Sequence, residues 1–503
     1  VAKYLEYILP RNTFSLSLWQ NILDMAQEII GRDKEQQELQ ELYESGRPEF
    51  LVVHGRRRVG KTFLIREFFK GRFAFYHTGL SPAEREDSDK TILFQQLESF
   101  FSSLSRYGYR GKMPKDWIQA FDALIQILEQ KDPNQRQVVF IDEMPWMDTP
   151  KSGFITAFEH FWNGWGAGQD NLMLIACGSS TSWIVDKIIN NKGGLYNRIT
   201  FEMTIRPFTL RECELFYKNR NIIMDRYDQL QAYMIFGGIP YYMSLLRKGL
   251  SLAQNVDALC FDPRGQLRME FDRLFNSLFV NPEDNRKIIR ALSKKRKGLL
   301  RSEISYETGI PTGGGLTNLL KSLQASDFII TYTTYKGSKR DTYFKLADHF
   351  CLFYLYFMDG QTNNHHFWSS NLTTPQLNAW RGFSFEAVCF SHIPQIKAAL
   401  GISDVQTEVF PWISKQKKDG AQIDMLIVRK DHVINICEMK YSTDKFTITR
   451  TYDEELRHKL TLFEEETKNR MALHLTLITT YGLTNNEYAG HVQRLITMDD
   501  LFK

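Results

Sequence analysis

The sequence predicts an α/β protein whose first large unit is a parallel β-sheet covered by helices on both faces, with smaller units following it. Three observations carry that expectation. Residues 55–62, Gly-Arg-Arg-Arg-Val-Gly-Lys-Thr, form a full G-x-x-x-x-G-K-[ST] match between an apolar run at 50–53 and a stretch of helical apolar spacing at 63–69. A second apolar run, 137–141, ends in Asp142 and Glu143 about 80 residues after Lys61. Further near-continuous apolar runs alternate with helical stretches, the pattern of parallel strands buried on both sides.

The glycine loop needs its residue types. Gly55 and Gly60 let the backbone close round a phosphate chain with its N–H groups pointing inward. Arg58 and Val59 lie inside that loop and are counted with it among the nucleotide-holding residues. The helix that follows offers its positive end to the same anion. Lys61 is expected to reach the β- and γ-phosphates, and the Thr62 hydroxyl to bind Mg²⁺. Asp142 is expected to hold the same ion through water, while Glu143 orients and polarises the attacking water. A nucleoside triphosphate is the expected ligand.

Composition narrows the class. A chain of 503 residues implies several domains, and 43% hydrophobic with 24% charged residues is ordinary for a soluble globular protein. A net charge of +4 is too small to argue nucleic-acid binding by itself. The six cysteines are scattered without a C-x-x-C pair, which fits reduced thiols. No apolar stretch approaches the ~18 residues of a membrane span. Residues 1–9 lack the pattern of a signal peptide. A cytoplasmic protein with no membrane contact is expected.

In chain order, residues 1–28 are mixed polar and aromatic and remain unassigned. A helix is expected from Gly31 through Leu39 and Leu42 to about Gly46. Residues 73–76 read as a strand, 91–104 and 117–130 as helices, 154–165 as an aromatic-rich helix and 172–177 as a strand. Ser179, Ser180 and Thr181 then stand where polar side chains sense a γ-phosphate, or else cap a helix. Arg198 precedes a strand expected at 199–205 and is the candidate arginine that reaches a phosphate, in cis or from a neighbour.

Together these segments resemble the archaeal-type ATPases of the AAA+/STAND class. The resemblance rests on residues 55–62, the Asp142-Glu143 strand, Cys177-Gly178-Ser179-Ser180, Leu195-Tyr196-Asn197-Arg198, Arg206-Pro207-Phe208 and Gly237-Gly238-Ile239-Pro240-Tyr241-Tyr242. Family members usually carry Gly where Asn197 stands, which leaves Arg198 in place. The resemblance implies ATP and Mg²⁺ as cofactors, Ser179 as a nucleotide contact and Pro240 packing against adenine. It also implies a homo-oligomer or a protein partner.

After an ATPase core at 29–209, a helical lid is expected at 210–280 and a winged helix at 281–346. Within the latter, Ile288, Ile289 and Leu292 line a first helix, residues 302–309 form a second, and Leu316, Leu319, Leu320 and Leu323 line a third in the recognition position. Wing strands are expected at 328–334 and 342–346, turned at 336–340. The cluster Lys294-Lys295-Arg296-Lys297 is suited to phosphates. Residues 347–503 form the last unit. There a strand at 423–428 carrying Asp424 pairs with a strand at 433–440 ending in Glu438-Met439-Lys440. Their pairing sets two carboxylates side by side, with Lys440 on the same face as Glu438. This resembles the PD-(D/E)xK restriction-endonuclease core, and Glu386 on the preceding helix matches the extra acid such nucleases often carry. The resemblance implies that Asp424 and Glu438 hold Mg²⁺, that Lys440 serves the attacking water, and that DNA is the partner. The alternative is a nucleotide-gated scaffold or sensor that binds DNA or protein without cutting.

Overall fold

The computed structural model describes residues 29–81, 91–191, 193–279, 281–338, 341–360, 364–416 and 419–503. The unassigned stretch 1–28 and part of the expected wing turn lie outside them.

Five strands form the first sheet: β1 (Glu49–His54), β2 (Phe73–Thr78), β3 (Gln137–Asp142), β4 (Leu172–Cys177) and β5 (Phe201–Thr204). Their spatial order is β2-β3-β4-β1-β5, and every neighbouring pair is parallel. All positions of β1, β3 and β4 are buried, which is why the stretches between their ends are continuously apolar rather than alternating. The strand period of two divides them between two cores. Leu51 and Val53 join Leu64 and Ile65 of the helix Lys61–Phe68 on one face. Phe50 and Val52 join Phe158 and Trp162 of the helix Phe154–Gly164 on the other. The segments following β1, β3 and β4 therefore emerge together at one edge of the sheet, where ligands bind in such folds.

The first core does not stop at the sheet. It continues through Phe236, Tyr242, Phe271, Leu292, Phe350 and Phe502, so the later units are packed onto the first through shared apolar surface. The stretch expected as a lid is helical, with Leu210–Asn219, Arg226–Phe236, Pro240–Ser244, Leu252–Val256 and Glu270–Leu278. Thr209 with Glu212, and Ser251 with Gln254, close capping boxes that fix two of these starts.

Residues 281–346 hold the helices Pro282–Ser293, Arg301–Thr308 and Gly314–Ala325. They also hold β6 (Leu299–Leu300), β7 (Ile329–Tyr332) and β8 (Tyr343–Leu346), antiparallel in the order β6-β8-β7. The third helix, in the recognition position, packs against the helix Thr181–Ile184 of the first unit, and Ser322 Oγ lies 3.4 Å from Ser182 Oγ. Part of its surface is therefore already used.

The last unit carries a mixed sheet of β9 (Thr407–Ile413), β10 (Gln422–Arg429), β11 (Val433–Lys440), β12 (Ala472–Thr479) and β13 (Arg494–Thr497), in the order β13-β12-β11-β10-β9. Strands β10 and β11 are antiparallel, with Met425 opposite Cys437, so Asp424 and Glu438 occupy the next facing positions. The register of β10 against β9 shifts between Ile423 and Leu426, so the irregularity in the ladder falls at Asp424. All six cysteines are buried and none is bonded to another. Among the described residues no helix is long and apolar enough to cross a membrane.

Candidate functional site

The loop after β1 is shaped by its neighbours. A Cβ on Gly55 would meet the Ile205 carbonyl oxygen at 2.2 Å, because the end of β5 passes directly beside it. Gly60, at φ 93°, opens the helix Lys61–Phe68, and a Cβ there would meet nothing within 4 Å. That open space over a helix N-terminus is where a phosphate fits. Lys61 Nζ meanwhile donates to the carbonyl oxygens of Gly55 at 2.9 Å and Arg56 at 3.1 Å, which holds the ammonium over the loop.

Thr62 Oγ1 donates to Asp142 Oδ2 at 2.9 Å. Burial, and then the charge of Glu143, push the Asp142 carboxyl up to about 6. Two acids and a hydroxyl in so dry a place suit a hard cation such as Mg²⁺, which would relieve their repulsion. Glu143 sits at φ 49°, a left-handed conformation that costs a non-glycine residue roughly 1–3 kcal/mol. Its two carboxylate oxygens accept from Ser179 N at 2.9 Å and from Ser179 Oγ. Of the three polar residues after β4, Ser179 is thus the one joined to the acid. Ser180 occupies a helix N-cap without making a side-chain cap bond.

The three loop arginines each face a different way. Arg58 Nη1 lies 2.9 Å from Glu270 Oε2, and its guanidinium lies 4.1 Å from the Tyr241 ring centroid. Tyr242 Oη donates to Glu270 Oε1 at 2.9 Å. Pro240, first residue of the helix that holds both tyrosines, is thereby tied to the loop. Arg57 feels the charge of Glu143, and its Nη1 is buried without a partner among the described residues. Arg56 is wholly buried and donates from Nε to Asp348 Oδ2 at 2.5 Å. Burial alone would raise the Asp348 carboxyl, but the Arg56 guanidinium holds it below its ordinary value. The Arg56–Asp348 pair was not among the sequence expectations; the run of three arginines inside the loop was its one visible signal.

Arg198 is placed differently. Phe50 N donates to Thr200 Oγ1 at 2.9 Å, so Arg198 lies before the N-terminal end of β5, while the loop follows the C-terminal end of β1. Five strand steps separate the two ends by roughly 16 Å. Arg198 is exposed and does not reach the loop of its own chain.

The second cluster lies in the last unit. Glu386 and Asp424 line one cleft of about 540 Å³ together with Lys345, Lys459, Arg296 and Lys297. Glu438 is buried beside it. Its Oε1 accepts from Lys459 Nζ at 2.8 Å and its Oε2 from Tyr452 Oη at 3.3 Å. Lys440 places its ammonium 4.5 Å from the Tyr452 ring centroid, on the Glu438 side of β11. Burial, then the Asp424 charge, push Glu386 up to about 7 against the pull of Lys345 and Arg296. Burial likewise raises Glu438, with Lys459 opposing it. Among the described residues no group of three or more His, Cys, Asp or Glu side chains is arranged to hold a metal ion. A cation at Asp424 and Glu438 would therefore rest on two carboxylates, one of them already neutralised by Lys459. Lys345, Lys459 and Tyr452 were not expected from sequence, since no local pattern ties them to the strand acids.

Residues 29–246 match the family model of an ATPase domain predominantly from Archaea. The chain carries an archaeal-type ATPase domain, and the match ends inside the helical stretch after the sheet. An uncharacterized protein of Methanocaldococcus jannaschii is 26% identical over 334 residues, 65% of this chain and 68% of the relative. Among solved structures, the Walker-type ATPase of Pyrococcus abyssi is similar with a TM-score of 0.45 and 18% identity, covering 65% of this chain and 96% of its own. The ORC2 protein of Aeropyrum pernix is similar with a TM-score of 0.40 and 15% identity, covering 66% and 93%.

Proposed function

We propose that the chain hydrolyses ATP at the loop 55–62 and uses the nucleotide state to control a DNA-acting C-terminal unit. The observation that carries the first half is the contact of Thr62 with Asp142, with Glu143 held one residue further on by Ser179. Mg²⁺ bound there would supply positive charge to the phosphates. The protein's own part is to cradle the anion, place Lys61 against it and orient water with Glu143. The second half rests on Arg56–Asp348 and Arg58–Glu270, which join the loop to segments far along the chain.

Arg198 takes its role from outside its own chain in this reading, on the loop of a second copy. ATP turnover per molecule is then expected to rise with protein concentration, and Arg198→Ala to remove that rise while leaving the dilute limit unchanged. A dilution series of phosphate release measures both. A concentration-independent loss in the variant refutes the assignment.

We read residues 281–346 as a winged helix and residues 347–503 as a restriction-endonuclease-like domain with Asp424 and Glu438 as Mg²⁺ ligands and Lys440 beside the reacting water. The direct test is supercoiled plasmid with Mg²⁺ or Mn²⁺, with and without ATP: divalent-dependent nicking is expected, and Asp424→Ala is expected to remove it at an unchanged melting temperature. The contact of Lys459 with Glu438 favours a second reading, a gated scaffold in which these charges only balance one another. Metal binding separates the two. Because Glu386 is raised to about 7, its contribution to stability is full below its unfolded value of about 4.3 and is lost as pH rises through about 7. Under the nuclease reading Mn²⁺ therefore raises the melting temperature at pH 8 and does so less at pH 5.5, where Glu386 keeps its proton. A melting temperature indifferent to Mn²⁺ at both values supports the scaffold.

A further inference from the structure

Arg296 belongs to the walls of two neighbouring cavities. One is the cleft of Glu386 and Asp424, where Arg296, Lys297 and Lys345 bring cations from the 281–346 unit. The other, about 330 Å³, is lined by Lys294, Arg296, Tyr356, Trp380 and Phe383 among others. The Arg296 guanidinium lies 5.6 Å from the Phe383 ring centroid. Trp380 is only 1% exposed, and its Nε1 has no acceptor among the described residues. Tyr356, in contrast, is 43% exposed. Lys294, Lys295, Arg296 and Lys297 are all exposed.

We propose that the two cavities form one track for an unpaired polynucleotide strand. A phosphate lies between Arg296 and Lys297, and the adjoining base enters the aromatic cavity against Phe383 and Tyr356. The inference rests on the DNA-acting reading and specifies its substrate. Cations that track a backbone, beside rings on which bases stack, are what single-strand binding requires. A paired base has both faces stacked and its edge bonded, so it does not enter a cavity walled by rings without first leaving its duplex. The cations also offset the repulsion between a phosphate and the acids of the cleft. An acidic peptide would use the cations but leave the aromatic cavity without a purpose. A duplex would be expected on the helix Gly314–Ala325, which offers only Lys321 as a cation and leans on Thr181–Ile184.

The test is fluorescence anisotropy of the full chain with labelled oligothymidylate of about 12 nucleotides, in EDTA so that cleavage plays no part. Arg296→Glu and Tyr356→Ala are each expected to weaken binding about tenfold or more at unchanged melting temperature, because both side chains are exposed. A duplex containing the same strand is expected to bind about tenfold more weakly. Competition by oligouridylate distinguishes DNA from RNA, and either strand satisfies the proposal. Three results overturn it: equal binding of the duplex, binding indifferent to both substitutions, or thymidine monophosphate competing as well as the oligomer. Strand binding without any plasmid nicking would instead remove the cleavage reading and leave the track standing.

Discussion

Glu143→Gln is expected to bind ATP as the wild type does and to lose turnover by about two to four orders of magnitude, the range of a missing general base. The amide has the shape of the carboxylate but does not take a proton from water. It also keeps its anchor. Ser179 N still donates to the remaining oxygen, while the Ser179 hydroxyl turns to accept from the new NH₂ group. The substitution has a second consequence, at Asp142. Burial and then the Glu143 charge raise that carboxyl to about 6, so in wild type it takes up a proton as pH falls through about 6 and loses its hold on a cation. Removing the Glu143 charge lowers the Asp142 value, and Mg²⁺-dependent ATP binding should persist to lower pH in the variant. Calorimetric titration with Mg²⁺ and ATP between pH 5.5 and 8, beside phosphate release at each pH, measures both effects. Turnover near the wild-type level would reduce Glu143 to the end of a strand.

Where local chemistry decided the structure, the sequence was readable. The loop 55–62 and the pair Asp142-Glu143 follow from strands that are apolar because both faces are covered. Asp424 opposite Glu438 follows from a hairpin with a period of two. Arg198 was legible further than the motif suggests: a residue just before a parallel strand lies at the sheet end opposite the loop that follows its neighbour. Other features leave no local trace. Arg56 and Asp348 are 292 positions apart, and nothing periodic links them. Lys459 comes from the helix Arg450–Thr467, whose exposed face is rich in charge, so the one lysine that turns to Glu438 does not stand out. The cleft itself is made by two units meeting, with Arg296 and Lys345 from one and Glu386 and Asp424 from the other. Motif spacing describes each wall and says nothing of their meeting.

Asp348→Ala is expected to be among the most destabilising single changes in the chain. Arg56 is 1% exposed and Asp348 5% exposed, and the guanidinium lies 5.5 Å and 5.7 Å from the ring centroids of Phe328 and Tyr242. Arginine does not shed its charge, so removing the carboxylate leaves a buried cation without the carboxylate it is hydrogen-bonded to. That costs about 3–5 kcal/mol, against a total of about 5–15 kcal/mol for a typical domain. The damage should extend to the nucleotide, because the Arg56 carbonyl helps to hold Lys61. Replacing both partners, Arg56→Met with Asp348→Leu, removes the orphan charge and should recover most of the lost stability. The pH dependence carries a definite sign. Asp348 is held below its ordinary value, so the pair contributes fully above the unfolded value of about 3.9, and that contribution is lost as pH falls through the lower folded value. Urea unfolding should show a constant deficit for Asp348→Ala from pH 8 down to about 4.5, narrowing only below that. A deficit under about 0.5 kcal/mol, the size of an ordinary surface substitution, would mean that the pair does not join the nucleotide loop to the C-terminal half in the way proposed.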